Sequence, residues 1–344
     1  MFQLPRRHQV FAFALFFFGS ATVARAEQPS VLASASSVEL HSNGYSVSLS
    51  SNDELPAPRR KEDRHGFLKG WDHLYDLLAD EGVEPLTLVR AFSDSRMPSY
   101  EPLYYSLTPR EPSAMYLRLN TPQNRNHALA FYREHADSFG EAERRFGVPA
   151  SIILALIQIE TSCGQNTGSY RIFPRLARLA AAAAPENVKE NYLRKQGPLR
   201  LIHYDRYAER AAYLENTFLV HTAAAFTVAK HQRMDVLDLR GSSAGAMGMP
   251  QFLPGNIAQF GVDGDGNGTV NIFSPADSIL SVGNFLHSYG WSERPMTLAQ
   301  KRDVLHHYNR SEPYVSTALA MADALQASIS PAPKKVPAKV LRTR

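Results

Sequence analysis

Among its 344 residues the chain has a single cysteine, Cys163, so no internal disulfide can form. A lone thiol of this kind reads most simply as a small buried residue. None of the 12 histidines falls into an HExxH or comparable zinc pattern, and the adjacent His306 and His307 read as surface or core-edge residues. No Gly-rich loop is followed by Lys-Ser/Thr, which excludes a P-loop, and no dinucleotide fingerprint occurs. The GSSAG segment at 241–245 lacks the G-x-S-x-G order of a nucleophile elbow. Charge is also scarce: the formal net charge is +4, and much of the basic excess sits at the two ends, in Arg6, Arg7, Lys334, Lys335, Lys339, Arg342 and Arg344. Without a basic stripe and interleaved aromatics, no nucleic-acid partner is expected. A mildly basic chain still tolerates an anionic polymer. No internal repeat is evident, and strand signals are few and short.

Long apolar runs are few. Val10 to Gly19 (VFAFALFFFG) is apolar but too short to span a bilayer comfortably. The charged start Arg6-Arg7-His8 precedes it, and the small-x-small pattern Ala24-Arg25-Ala26 follows. Residues 1–26 therefore read as a cleaved secretory signal, with an uncleaved anchor as the alternative. No cysteine lies at the cleavage site, which excludes a lipoprotein anchor. After cleavage no membrane anchor is expected.

What is present is an ordinary globular composition, 44% hydrophobic and 20% charged, sufficient for a real core. Residues 27–66 are Ser-, Asn- and Pro-rich and read as a flexible lead-in. Residues 326–344 read as a disordered Pro/Lys tail. The region between, 67–325, carries helical spacing of apolar residues at 71–79, 126–146, 213–230 and 276–289. The expectation is a mainly α-helical architecture with a groove between lobes.

One helix stands apart. Residues 147–164 read GVPASIILALIQIETSCG, apolar nearly all round from Ile152 to Ile159. A helix with no wet face is a buried one. Pro149 suits its first turn and Gly164 its stop. Glu160 closes the apolar run. An acid placed there is hard to keep in water, and burial of an unpaired charge should raise its pKa, as general-acid work requires. Glu160 reaching solvent at a frayed helix end is the other reading of this segment alone.

Two further segments carry chemistry. Residues 241–254, GSSAGAMGMPQFLP, form a tight Gly-rich turn in which Ser242 and Gln251 are polar groups among apolar ones. Residues 262–277, VDGDGNGTVNIFSPAD, place Asp263, Asp265 and Asn267 at the first, third and fifth positions of an EF-hand-like loop. Gly268 sits at the sixth, and Thr269 would give a backbone carbonyl. The twelfth position, usually Glu, is Ser274. Oxygen donors at this spacing suit Ca²⁺, in a structural role; a solvated Asp/Gly/Asn turn is the alternative.

In combination, the ET-x-x-G of Glu160–Gly164, the GSSAGAMGMPQFLP turn, the 262–291 stretch and HYNRSEPYV at 307–315 resemble the lytic murein transglycosylase B family. The resemblance covers roughly residues 67–325. It implies a lysozyme-like helical catalytic core flanked by helical lobes. It also implies cleavage of the β-1,4 bond between N-acetylmuramic acid and N-acetylglucosamine in peptidoglycan glycan strands. The muramic C6 hydroxyl, not water, would be the acceptor, and Glu160 the sole acid/base, with no cofactor required for the chemistry. Hydrolysis of the same bond and non-catalytic murein binding are the alternatives. By the same resemblance Ser242, Gln251, Tyr308 and Asn309 would contact the sugars, and the calcium loop would close with Asp277. Two departures stand out. Phe285 occupies a position where the family commonly has Tyr, and Arg210 alone stands where paired arginines often contact a lactyl or peptide carboxylate. Residues 181–206 look like extra sequence. The signal segment leads to the expectation of an exported, periplasmic protein; a partner in cell-wall synthesis or secretion complexes stays open.

Overall fold

The computed structural model describes residues 66–109, 113–194 and 203–329. The signal segment 1–26, nearly all of the lead-in and residues 330–344 of the tail lie outside them. Residues 326–329 of the supposed tail are helical, and Gly66 at the end of the supposed lead-in already starts a helical turn.

The architecture is mainly helical, as expected. In chain order the elements are α1 (Asp72–Asp80), α2 (Pro85–Ser93), a 3₁₀ turn (Ser113–Arg118), α3 (Pro122–Glu134), α4 (Ala136–Phe146) and α5 (Ala150–Thr161). Then come β1 (Tyr170–Arg171), α6 (Phe173–Ala180), α7 (Pro185–Arg194), α8 (Tyr204–His231) and β2 (Arg240–Gly241). The chain continues through α9 (Pro254–Phe260), α10 (Pro275–Ser288), α11 (Leu298–Tyr308) and α12 (Glu312–Ile329). Among the described residues β1 and β2 form the one sheet, an antiparallel pair with Tyr170 opposite Gly241 and Arg171 opposite Arg240.

The single helix expected over 126–146 is two. The chain breaks at His135, which leaves helical geometry at φ −118°, ψ 27° and serves both as the end of α3 and the start of α4. Apolar periodicity survives such a break because both pieces face the same core.

Helix α5 is the hub. All twelve of its residues are buried, including Ser151, Gln158, Glu160 and Thr161. It packs on α12 most extensively and on α3, α4 and α10 besides. Each fully buried Ile or Leu contributes roughly 1.5–3 kcal/mol relative to exposure, which is why the run needs no polar face. Pro149 precedes the helix and does not enter it. The first free N–H, that of Ala150, is instead taken by Glu143 Oε1 of α4 at 2.7 Å. The helix also stops earlier than Gly164: Ser162, Cys163 and Gly164 are all left-handed, with φ of 49°, 52° and 88°. This sharp exit turns the chain away directly after Thr161 and leaves Glu160 on the last turn.

A second packing unit centres on the long α8, which holds α6 and α9 against it, with α7 alongside. Part of the extra 181–206 segment is thus the ordered helix α7. Its buried Asn187 and Asn191 accept from the backbone N–H groups of Leu103 and Tyr105.

Candidate active site

Glu160 is 8% exposed, so its carboxyl is buried at the tip and not frayed into solvent. Tyr314 of α12, fully buried, donates its hydroxyl to Glu160 Oε1 at 2.6 Å. The Tyr314 ring meets Tyr116 edge-on at 5.9 Å and lies parallel to Tyr308 at 6.4 Å. Burial, and then the negative charge of Glu160, push the Tyr314 hydroxyl well above the ordinary phenol range, so it stays a donor at any working pH. The phenol's hydrogen bond favours the charged form of the carboxyl.

The end of α5 is latched to the Gly-rich turn. Thr161 Oγ1 donates to the Met249 carbonyl at 2.8 Å and accepts from Gly164 N at 3.0 Å. The turn closes on itself through Ser242 N to Ala246 O at 2.8 Å and Ala246 N to Ser242 Oγ at 3.2 Å. It also runs against the backbone before β1. A Cβ on Gly168 would lie 2.2 Å from the Gly241 carbonyl oxygen, so only glycine permits this approach. Gln251 adopts φ 51° and donates its Nε2 to Gly248 O at 2.9 Å and Thr167 O at 3.2 Å. That commits the amide nitrogen to two backbone carbonyls.

These elements enclose one groove. Glu160, Ser242 and Gln251 wall it together with Leu119, Gln165, Ser169, Tyr170 and Ser243. Serine, threonine, asparagine and glutamine residues line it beside the buried acid. Behind the wall, His127 spans Gln158 Oε1 at 3.0 Å and Gln165 Nε2 at 2.9 Å. Cys163 donates its thiol to the same Gln158 oxygen at 3.2 Å, and burial pushes that thiol up to about 12. It is an inert core residue.

Other candidates lie elsewhere. Phe285 is 2% exposed and sits in a cluster with Phe252, Phe260, Tyr289 and Tyr308, not on the groove wall. Tyr308 donates its hydroxyl to the Pro250 carbonyl at 2.6 Å and supports Tyr314 from behind. Asn309 Oδ1 accepts from Ser311 N at 2.9 Å, shaping the entry to α12. Arg210 lies on α8 with its guanidinium 5.1 Å from the centre of the Tyr213 ring, outside the groove wall. His306 bonds Glu312 at 2.6 Å and His307 stacks on Tyr289 at 4.1 Å, at the protein's edge as anticipated. Tyr314 was overlooked in sequence, although it stands inside the HYNRSEPYV motif.

In the acidic loop, carboxylate oxygens of Asp263, Asp265 and Asp277 lie within 4.8 Å of one another. Asp263 accepts from Gly266, Asn267 and Gly268 N–H groups, and Asp265 and Asn267 from those two residues on. Asp277, fully buried, accepts from Gly264 N at 2.9 Å and Asn271 N at 2.6 Å. Burial raises its pKa, with the charge of Asp265 adding to the effect. Three convergent carboxylates, one fully buried, fit a hard divalent cation, which would offset their repulsion.

Residues 66–301 match the family model described as the transglycosylase SLT domain. The chain is 30% identical over 234 residues to the membrane-bound lytic murein transglycosylase B of Escherichia coli, covering 66% of this chain and 54% of that protein. It thus spans about half the length of that relative. The solved E. coli lytic transglycosylase Slt35 in complex with calcium shares the fold, with a TM-score of 0.56 and 21% identity over 75% of this chain and 93% of that one. Pseudomonas aeruginosa SltB3, solved with NAG-anhNAM-pentapeptide, aligns with a TM-score of 0.54 and 20% identity over 76% of this chain and 79% of that one.

Proposed function

The chain belongs to the transglycosylase SLT domain family, and from that membership we propose that it cleaves peptidoglycan glycan strands at the MurNAc-β-1,4-GlcNAc bond to leave 1,6-anhydromuramoyl ends. The observation that carries this reading is the buried Glu160 carboxyl at the wall of a polar groove, with Tyr314 donating to it at 2.6 Å.

Glu160 enters protonated and gives its proton to the bridging oxygen as the C1–O bond breaks. The substrate's own N-acetyl carbonyl supports the positive charge at C1. Glu160, now a carboxylate steadied by Tyr314, takes the proton from the muramic C6 hydroxyl while O6 bonds to C1. One bond forms, one breaks, the proton returns to Glu160, and no water is consumed. Among the described residues no second carboxylate walls the groove, which is consistent with an internal acceptor. Ser242 and Gln251 would hold the sugars' polar groups, and Tyr308 and Asn309 would act by shaping the Tyr314 side.

The Asp263, Asp265, Asn267, Thr269 and Asp277 loop would hold Ca²⁺ as a structural brace; no step of the reaction runs through it. A cleaved signal and a periplasmic setting, where murein is found, accompany this reading. Among the described residues no helix is long and apolar enough to cross a membrane. The test is digestion of purified sacculi by the protein and by Glu160→Gln. Loss of turbidity with the first and none with the second supports the reading. Equal digestion by both overturns it.

A further inference from the structure

The groove that holds Glu160 is also lined by an aromatic residue that the reaction does not use. There Tyr170 stands 40% exposed, the one large aromatic exposed to this extent on the groove wall. It belongs to neither apolar cluster, so its ring does no packing work for the core. Scattered surface aromatics need no explanation, but this one is held at its backbone. It is a β1 residue paired with Gly241, and at Gly168 the backbone before it packs closely on Gly241. On one side of the ring the guanidinium of Arg175, from α6, sits 4.9 Å from the centroid. Ser169 and Ser243 line the same groove.

An aromatic ring beside a cation, with serines lining the same groove, matches the chemistry of a pyranose. The sugar's axial C–H face is apolar and slightly positive and lies on the electron-rich ring, while its rim hydroxyls meet polar side chains. A guanidinium held on the other side fixes the ring's orientation and carries further donors. We propose that Tyr170, backed by Arg175, is a distal sugar subsite that holds a glycan unit beyond the cleaved pair and makes the protein favour long strands over short fragments. This rests on the reading of the groove as a glycan site. Tyr170 is then a specificity-determining residue that touches substrate but not the scissile bond.

The test compares kcat/KM on naked glycan strands of many disaccharides with that on a two-disaccharide fragment, for the wild type, Tyr170→Ala and Tyr170→Phe. Tyr170→Ala is expected to lower the long-to-short ratio about tenfold, the size of a lost aromatic contact, mainly through KM. Tyr170→Phe, which keeps the ring, is expected to keep the ratio. An unchanged ratio in Tyr170→Ala overturns the proposal. So does an equal fall on both substrates, which would mark a purely structural role. A binding arm separates this from failure of the catalytic reading. Titration of the long strands into Glu160→Gln and into Glu160→Gln/Tyr170→Ala should show weaker binding by the double variant even if no cleavage occurs. Equal binding overturns the subsite.

Discussion

The hydroxyl of Tyr314 and Oε1 of Glu160 lie 2.6 Å apart although the residues are 154 positions apart in the chain. This contact joins α5 to α12, the helix it packs on most extensively. It gives the acid a partner that can donate but not accept a proton there. Tyr314→Phe should keep the fold, because the ring remains. It should lower kcat by about 10–100-fold, since a hydrogen bond to a charged group is worth about 1.5–3 kcal/mol. The pH–rate profile should move toward higher pH, as the lost bond favoured the charged carboxylate. Circular dichroism and a pH–kcat series check both. An unaltered profile with unaltered kcat would remove Tyr314 from the mechanism.

The acidic loop predicts a metal-dependent stability. Ca²⁺ should raise Tm and a chelator should lower it, with the shift growing with the logarithm of free Ca²⁺. Because burial raises the Asp277 pKa, protons compete with the cation and the Ca²⁺ effect should shrink as pH falls. Asp277→Asn should abolish the Ca²⁺ shift. Differential scanning calorimetry decides, and a Tm indifferent to both Ca²⁺ and chelator counts against the loop as a cation site.

His221 predicts a separate acid sensitivity. Its Nδ1 accepts from Gly255 N at 3.2 Å, which requires the neutral ring, and burial pulls its pKa down to about 4 from 6.5. Above pH 6.5 both folded and unfolded chains hold it neutral, so it contributes no pH dependence there. As pH falls toward 4 the unfolded chain takes up the proton first and stability drops. The loss is of the order of 3 kcal/mol by the value of about 1.4 kcal/mol per pKa unit. Urea midpoints at pH 7 and 4.5 should converge partly in His221→Gln. A pH dependence identical to wild type would contradict this.

The Gly-rich turn predicts intolerance at Gly248. Its φ is 67°, and a Cβ there would lie 2.1 Å from the Ile272 carbonyl oxygen. Gly248→Ala should cost at least about 1–3 kcal/mol from backbone strain alone, with more from the clash. A thermal melt within a degree of wild type would show that the turn yields.

Much of this was legible in the residues because burial leaves a plain mark. An apolar run with no wet face announced α5, while leaving Glu160 at its end open between burial and a frayed, solvent-reaching tip. Aspartates at loop positions one and three announced the acidic loop, and the family resemblance added Asp277 as its closing carboxylate. Pairings between distant segments were less legible. Tyr314 reads as one more aromatic on a helix, and only the packing of α12 on α5 aims its hydroxyl at the acid. Phe285 shows the converse. Its position in a motif suggested a place at the substrate, whereas the packing of α10 turns it into an aromatic cluster. The break at His135 escaped notice because α3 and α4 keep their apolar faces toward one core. The family resemblance put Arg210 at the substrate, but its position on α8 sets it beside Tyr213.

Glu160 is proposed to perform an intramolecular transfer and not a hydrolysis. Mass spectrometry of sacculi digested by the purified protein in H₂¹⁸O tests it most directly. The account predicts muropeptides ending in 1,6-anhydromuramic acid, free of ¹⁸O, and none from Glu160→Gln. Reducing muramic ends carrying ¹⁸O, or the same products from Glu160→Gln, would contradict it.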